Sequence, residues 1–380
     1  MPISARRRSL IAVIGSMVVV NLVYGLTLPL LSLILDAQGI SKSLIGLSIL
    51  VQASAGVVLA PFMSRIILKV GAAPVMRYAT LTAAGAILAL GLLQDVYFWL
   101  PIRFLLGAAA AILWSAGEAM INELADDQWR GRIIGAYSAA GAAGFALGPL
   151  VLIVTGTSGF LPFGVTAALI TTASLPLLIV SRTTTAPESA EHPSLWRIFS
   201  LAPHIMLLNF TYAAAIEAFI AFFPLLGIHI GLGEARSLSL LTVFALGGVI
   251  LQLPLGWLAD HMPRHRLLLL CVVATIAGFW FLPLVVQSPL FGPAYTFTLG
   301  GVEGMIYALG IILLGQRFRG AELAAASVLY TGMWGAGMMV GPAAIGVGLD
   351  LLGYSALTRL IAGLYVVYLI SYVFLRQRGC

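Results

Sequence analysis

Residues 10–35, LIAVIGSMVVVNLVYGLTLPLLSLIL, carry no charged side chain over 26 consecutive positions. A helix needs about 20 mostly apolar residues to cross about 30 Å of hydrocarbon, so this stretch is long enough to span a membrane. It lacks a small-residue cleavage site, which favours a retained first helix over a signal peptide. Uncharged runs recur along the chain, for example at 79–93 and 366–375, and they predict further spans.

The overall composition agrees with this interpretation. Apolar residues make up 61% of the chain, charged residues 9%, and the mean hydropathy is +1.05. A soluble domain carries about 25% charged residues to cover its surface, which excludes a large soluble α/β domain. The pattern of apolar runs predicts an all-α polytopic membrane protein with twelve transmembrane helices, the first at 9–36 and the last at 355–375.

The net charge of +6 could indicate a nucleic-acid partner, but its distribution favours a membrane topology. With the N-terminus inside, sixteen of the 20 Lys and Arg residues fall on the cytoplasmic side of the twelve spans. This asymmetry predicts that both termini are cytoplasmic. We therefore expect a multi-pass protein of the bacterial inner (plasma) membrane, with lipid as a partner and no nucleic acid.

One long polar stretch, RTTTAPESAEHPSLWR at 182–197, divides the spans into six plus six. The predicted organisation is a six-helix bundle at 1–181, a cytoplasmic linker at 182–199 and a second six-helix bundle at 200–380. The halves also repeat, since Gly148-Pro149 in span 5 recurs as Gly341-Pro342 in span 11, 193 residues later (341 minus 148). Repeated six-helix halves are typical of secondary transporters, which bind substrate near the midplane.

Several other classes of site find no support in the sequence. Two cysteines, Cys271 and Cys380, exclude a disulfide framework, and because they lack ligand spacing a structural zinc site is unsupported. No phosphate-binding G-x-x-x-x-G-K-[ST] loop is present for ATP hydrolysis. The sequence also shows no nucleophile–base pair and no pair of catalytic acids. We therefore expect that the protein is not an enzyme and that it uses no metal and no cofactor. The proton gradient is its expected energy source.

The loop after span 8, GWLADHMPRHR at 256–266, resembles the G-x-x-x-D-R-x-G-R-R signature of the major facilitator superfamily. The resemblance implies the twelve-helix fold of that superfamily, with two pseudo-symmetric bundles. It also implies a conformational role for Gly256, Asp260 and Arg264, in which the carboxylate pairs with arginine at the cytoplasmic side. The sequence departs from the signature at His261 and Pro263, and Ser64 stands where the first half would carry the acid.

Other segments add to the resemblance. RFLLG at 103–107 is similar to the R-x-x-x-G of facilitator helix 4, and GAAGFALGP at 141–149 resembles the fifth-helix motif of drug and proton antiporters. In that motif Gly144, Gly148 and Pro149 would allow close helix packing and a bend, although packing alone also explains them. The segments at 118–122, 252–260 and 317–324 resemble the YcaD-like branch, which covers both halves of the chain.

Ionisable residues inside spans are costly, so each is a candidate functional residue. The resemblance implies a central cavity lined by spans 1, 4, 7 and 10, and each of these spans carries polar residues. The residues expected to bind substrate or couple protons are Glu217, Glu303, Glu118, Asn21, Tyr24, Asn122 and Arg103. A neutral glutamic acid that hydrogen-bonds between helices is the alternative for Glu217 and Glu303. Glu118 and Asn122, four residues apart on one helix face, could instead form a polar contact on the cytoplasmic side. Arg103 could extend to the interface.

Together these observations favour a secondary active transporter that works by alternating access, with proton-coupled export of small amphiphilic or cationic compounds or metabolites. Proton-linked uptake of a small nutrient is the alternative transport function. A membrane sensor or assembly factor without transport is the alternative from another class. A single chain already holds both halves, so we expect it to work as a monomer on a small-molecule substrate.

Overall fold

A computed structural model describes residues 3–93, 95–125, 129–179 and 194–377 of the chain. All regular elements within these ranges are helical, and twelve helical segments are long and apolar enough to cross a membrane. The α-helices are α1 Ile3–Ala37, α2 Lys42–Val70, α3 Ala72–Leu92, α4 Val96–Leu124, α5 Arg130–Thr155, α6 Leu161–Thr172, α7 Leu195–Leu201, α8 Pro203–His229, α9 Glu234–Ile250, α10 Gln252–His261, α11 Arg264–Val285, α12 Phe291–Arg317, α13 Gly320–Leu352 and α14 Leu357–Gln377.

The predicted linker at 182–199 lies mostly outside the described residues. Its last part is described, and there the short helix α7 begins at Leu195. The predicted linker boundaries therefore stay a prediction.

Two of the twelve spans are interrupted where a proline removes a backbone donor. Span 8 consists of α9 and α10, which meet at Leu251, because Pro254 has no N–H for the carbonyl of Ile250. Span 6 ends its α-helix at Thr172 and continues as a 3₁₀ turn from Pro176 to Ile179. These breaks refine the two continuous spans that hydropathy alone predicts.

The first compact unit contains residues 1–38 and 51–188. Its helix α1 packs along α5 and also touches α4 and α6, while α3 packs between α4 and α6. The chain can turn sharply between α2 and α3 because Gly71 adopts a left-handed φ of 91°, which favours glycine. Because α1 contacts α4, α5 and α6, it is the central helix of this bundle.

The second compact unit contains residues 39–50 and 189–380, so the first part of α2 belongs to it. Its central helix α8 is buried over most of its length and packs against α13, α14, α9 and α12. The carboxylate of Asp350 on α13 accepts hydrogen bonds from the backbone N–H groups of Lys42 (2.9 Å) and Ser43 (2.8 Å). Asp350 thus caps the start of α2, where unpaired N–H groups favour an anion.

Glycines let the central helix of each unit approach its main partner backbone to backbone. A Cβ atom added to Gly144 or Gly148 of α5 would collide with the backbone of α1. At Gly337 and Gly341 of α13, the added atom would collide with α8. Both pairs are separated by 193 residues (337 minus 144, and 341 minus 148), so the repeated Gly-Pro segments perform the same packing in both units.

We expect Gly341→Ala to destabilise the protein, because its new methyl group must displace the α8 backbone at Ala214. Overpacking of this kind typically costs about 1–3 kcal/mol. Thermal unfolding of the purified protein in detergent should show a lower Tm.

Gly256→Ala is the matched control for this substitution. A Cβ atom at Gly256 meets no atom within 4 Å, and alanine is the better helix former. We therefore expect the control to unfold at or above the wild-type temperature. Equal melting temperatures for the two variants would contradict the packing role of Gly341.

Candidate functional site

Two of the predicted acids, Glu217 and Glu303, are buried inside the second unit. Glu303 of α12 is fully buried, and its Oε1 accepts a hydrogen bond of 2.7 Å from the hydroxyl of Tyr365 on α14. Glu217 of α8 is 4% exposed. Tyr212 of α8 lies within electrostatic range of both carboxyl groups. The structure therefore places these two acids around one buried region.

An aromatic cluster lies beside these acids, formed by Tyr212, Tyr307 and Trp334, all half-buried. The rings of Tyr212 and Tyr307 are stacked with centroids 5.6 Å apart, and Trp334 lies 5.4 Å from Tyr212 and 5.1 Å from Tyr307. The Trp334 indole N–H points toward Met338 Sδ at 2.7 Å. Ring faces in this arrangement can stack on an apolar or cationic molecule.

The first unit carries a similar aromatic group around Tyr24 of α1. The Tyr24 ring meets Trp114 edge to face at 4.9 Å and Phe145 at 6.1 Å. Asn21 is one turn earlier and donates its amide to the carbonyl of Met17 at 2.8 Å. A cavity inside this unit is lined by Tyr24 and Trp114 together with mainly apolar side chains from α1 and α4. Because its amide N–H donates to Met17, part of the hydrogen-bonding capacity of Asn21 is taken up within its own helix.

Arg103 of α4 is fully buried, and therefore does not extend to the membrane interface. Its Nε donates to Oε1 of Gln52 on α2 at 3.1 Å, and the guanidinium lies within electrostatic range of Tyr24. A buried guanidinium needs such acceptors because leaving water costs it several kcal/mol. Gln52 was not among the residues that the sequence singled out.

Glu118 and Asn122, one turn apart on α4, are both exposed on the same face of the first unit. Glu118 lies within electrostatic range of Tyr137 on α5. This placement differs from that of Glu217 and Glu303, which are buried in the second unit. The three acids predicted together therefore divide into one exposed and two buried residues.

The residues of the signature loop form one long, exposed ion pair. Arg264 lies 3.9 Å from the Asp260 carboxylate one turn earlier, and the Asp260 side chain is 73% exposed. Exposed ion pairs of this kind contribute little to stability. The ring of His261 is tilted against that of Trp257 with centroids 4.2 Å apart, and Gly256 has open space around its Cα atom. A conformational role for these residues stays a prediction.

The repeat offset is a signal that could have identified one pair of the residues that sequence reasoning missed. Trp114 and Tyr307 are separated by 193 residues (307 minus 114), as are Gly107 and Gly300 (300 minus 107). An atom added to Gly107 would collide with the backbone at Gln52, and the same change at Gly300 would collide with Phe244. Extending the offset from the Gly-Pro pair would have related Trp114 to Tyr307, whereas Tyr24 falls opposite Glu217 at the same offset (217 minus 24).

Metal binding finds no support in the described residues, where no group of three or more His, Cys, Asp or Glu side chains could hold an ion.

We expect Gln52→Leu to destabilise the protein, because the substitution removes the amide oxygen that accepts from buried Arg103. Hydrogen bonds to charged groups contribute about 1.5–3 kcal/mol, so the Tm in detergent should fall measurably. Gln252→Leu makes the same chemical change at the exposed start of α10 and serves as control. If both variants unfolded at the wild-type Tm, the hydrogen bond between Arg103 and Gln52 would not contribute to the stability of the protein.

Comparisons with known proteins agree with this architecture. The sequence profile described as Major Facilitator Superfamily matches residues 13–241 and 205–379. A Bacillus subtilis (strain 168) protein, named as the uncharacterised MFS-type transporter YfkF, is 28% identical over 334 residues, covering 85% of this chain and 84% of that protein. An uncharacterised MFS-type transporter of Yersinia enterocolitica is 24% identical over 307 residues, covering 80% and 79%.

Solved structures show the same fold at low sequence identity. A mutant of the nucleoside transporter NupG superposes with a TM-score of 0.82 at 13% identity, covering 97% of this chain and 99% of that one. A bacterial homologue of the human lysosomal transporter Spinster gives 0.73 at 15% identity, covering 99% and 97%. The chain therefore belongs to the Major Facilitator Superfamily, and it is a multi-pass membrane transporter of the alternating-access type rather than an enzyme.

Proposed function

We propose that the protein exports small amphiphilic or cationic compounds in exchange for protons. The observation that carries this proposal is the fully buried Glu303, hydrogen-bonded to Tyr365, with Glu217 nearly buried in the same unit. A charged carboxylate at this depth is costly, so gain or loss of one proton changes the energy of the site strongly. Such a group can link proton binding to a conformational change or to a cationic substrate.

The aromatic cluster of Tyr212, Tyr307 and Trp334 supports the choice of substrate. Its half-buried ring faces offer apolar area, and a cation placed over such a face gains about 0.5–2 kcal/mol. Helix α8 carries no Lys or Arg, and α12 carries only Arg317 in its last turn. A negative, aromatic environment suits cationic or neutral molecules better than anions.

The export direction rests on the resemblance of the fifth-helix segment to that of drug and proton antiporters. Gly144 and Gly148 let α5 approach α1 at close range in the structure, and Pro149 lies inside α5. The proposal further places the protein in the bacterial inner membrane with both termini cytoplasmic. It acts as a monomer among lipids, without nucleic acid or cofactor, and the proton gradient drives it.

Uptake of a small nutrient in symport with protons is the second candidate. The edge-to-face pair of Tyr24 and Trp114 could hold a planar ring, and Asn21 and Gln52 provide polar groups near it. The similar fold of a nucleoside transporter gives one class of planar nutrient to test, namely nucleosides.

The test uses purified protein in liposomes with an imposed pH gradient and an internal pH-sensitive dye. We expect a cationic amphiphile such as ethidium to release protons across the membrane, and Glu303→Gln to reduce this flux to that of protein-free liposomes. Glutamine keeps the size of the side chain but cannot exchange a proton. Uridine, in the opposite gradient arrangement, tests the uptake alternative.

Glu322→Gln is the matched control, because Glu322 lies at the surface and pairs with Arg197 at 3.3 Å. It should leave compound-dependent proton flux at the wild-type level. Flux that persists unchanged in both Glu303→Gln and Glu217→Gln would contradict the assignment of proton coupling to these acids. Proton flux that depends on uridine, with none that depends on cationic compounds, would support uptake and contradict export.

A further inference from the structure

Helix α2 belongs to both compact units. Its residues 42–50 lie in the second unit and its remaining residues in the first, although Lys42–Val70 is one uninterrupted helix. Residues 47–55 contain no glycine and no proline, the residues at which helices kink most readily. We therefore expect α2 to move as one rigid helix across this boundary, so that a movement of the first unit acts on the residues that are docked in the second.

Two glycines let the start of α2 dock on α13 with the two backbones in contact. A Cβ atom added to Gly46 of α2 would collide with the backbone of Pro342. One added to Gly346 of α13 would collide with the carbonyl group of Lys42. The helices are antiparallel here, because moving four residues back along α2 moves the contact four residues forward along α13. Small residues on both sides make this close approach possible.

The carboxylate of Asp350 binds the end of α2 at this contact. Its Oδ1 accepts the backbone N–H of Lys42, and its Oδ2 accepts both the backbone N–H and the hydroxyl group of Ser43. First-turn N–H groups have no partner inside their own helix, and the helix dipole adds a partial positive charge there. One side chain of α13 therefore satisfies three donors of α2.

The side chain of Lys42 makes a further contact with the same part of the second unit. Its Nζ lies over the ring of Tyr354, 4.6 Å from the centroid, where a cation is attracted by the ring face. The Tyr354 ring lies 5.0 Å from that of His229 in the last turn of α8. Lys42 is also within electrostatic range of Asp350. A carboxylate and a ring face thus hold the same two residues of α2.

The polar groups of this contact can exchange their partners for water. Asp350 is exposed, and Lys42 and Ser43 are partly exposed. The hydroxyl of Ser41 accepts the backbone N–H of Leu44 at 3.3 Å, so α2 has a cap of its own within the same chain segment. Asp350 is therefore needed to dock the start of α2 on α13, and not to make it helical.

We propose that Asp350, Lys42 and Ser43 form a latch that holds the start of α2 on α13 in one conformation of the transport cycle and releases it in the other. Alternating access requires one half of the transporter to rock against the other. Because α2 continues into the first unit, this movement lifts residues 42–50 off α13, at the membrane face opposite the chain termini. Asp350 then exchanges its three donors for water.

The strength of the latch sets the ratio of the two conformations, because a contact made in only one state favours that state. Asp350 lies outside every segment that carries the family resemblance. The inference goes beyond the proposed function, since it depends on alternating access and not on the substrate, the direction of transport or the coupling to protons.

The test measures this ratio with one spin label in each unit. Ser158→Cys places a label in the loop after α5, and Gln287→Cys places one in the loop after α11. Both positions are exposed, and neither belongs to the latch. The background carries Cys271→Ala and Cys380→Ala, so that only these two sites react. Double electron–electron resonance of the purified protein in lipid nanodiscs then gives the populations of the label distances.

We expect Asp350→Asn to increase the population of the longer distance relative to the shorter one by about fivefold. Asparagine keeps the size of the side chain but loses the charge and one of the two acceptor oxygens. Gly346→Ala should shift the distances in the same direction without a change of charge, because its methyl group must displace the carbonyl group of Lys42.

Asp95→Asn is the matched control. The Asp95 carboxylate accepts the backbone N–H of Tyr97 at 2.9 Å at the start of α4. The same chemical change therefore removes the same kind of interaction at a helix start, but one that lies within the first unit alone. This variant should show the wild-type distance distribution.

Three results would overturn the latch. The first is a wild-type distance distribution in both Asp350→Asn and Gly346→Ala. The second is an equal shift in Asp95→Asn, which would show a general loosening of helix starts. The third is a lower Tm of Asp350→Asn with an unchanged ratio of distances, which would mean that Asp350 only stabilises the second unit. None of these results bears on proton exchange by Glu303, because the measurement involves neither substrate nor a pH gradient.

Discussion

No water is available in the hydrocarbon core to satisfy a polar group, and this constraint shapes the whole molecule. It requires the backbone to be helical across the membrane, as the twelve spans are. It also explains the side-chain bonds in the interior, because Ser16, Thr166 and Thr296 donate back to carbonyls of their own helices. The bonds of Arg103 with Gln52 and of Glu303 with Tyr365 meet the same demand between helices.

Much of the architecture could be predicted from the sequence, because apolar length and charge asymmetry are local properties of the chain. The twelve spans and the superfamily fold are confirmed by the structure and by the relatives. The breaks at Leu251 and Thr172 were missed, although Pro254 and Pro176 mark them. Hydropathy averages over a window and does not register the loss of one backbone donor.

The partners of the buried charges were harder to predict. Gln52 is 51 residues from Arg103, and Tyr365 is 62 residues from Glu303, so neither pair follows from helical spacing. Sequence could name the costly residues, because an ionisable group in a span is conspicuous. Its partner is an ordinary polar residue on another helix, which only the packing of that helix identifies.

The constant offset between the two halves has a consequence for the ancestry of the chain. Pairs 193 residues apart occur in α4 and α12, at Trp114 and Tyr307, and in α5 and α13, at Gly148 and Gly341. The segment between the paired positions therefore has the same net length in both halves, connecting loops included. Such equality is the mark of a duplicated gene whose copies have kept their length while their side chains diverged. The ring at Trp114 and the ring at Tyr307 descend, on this account, from one ancestral position.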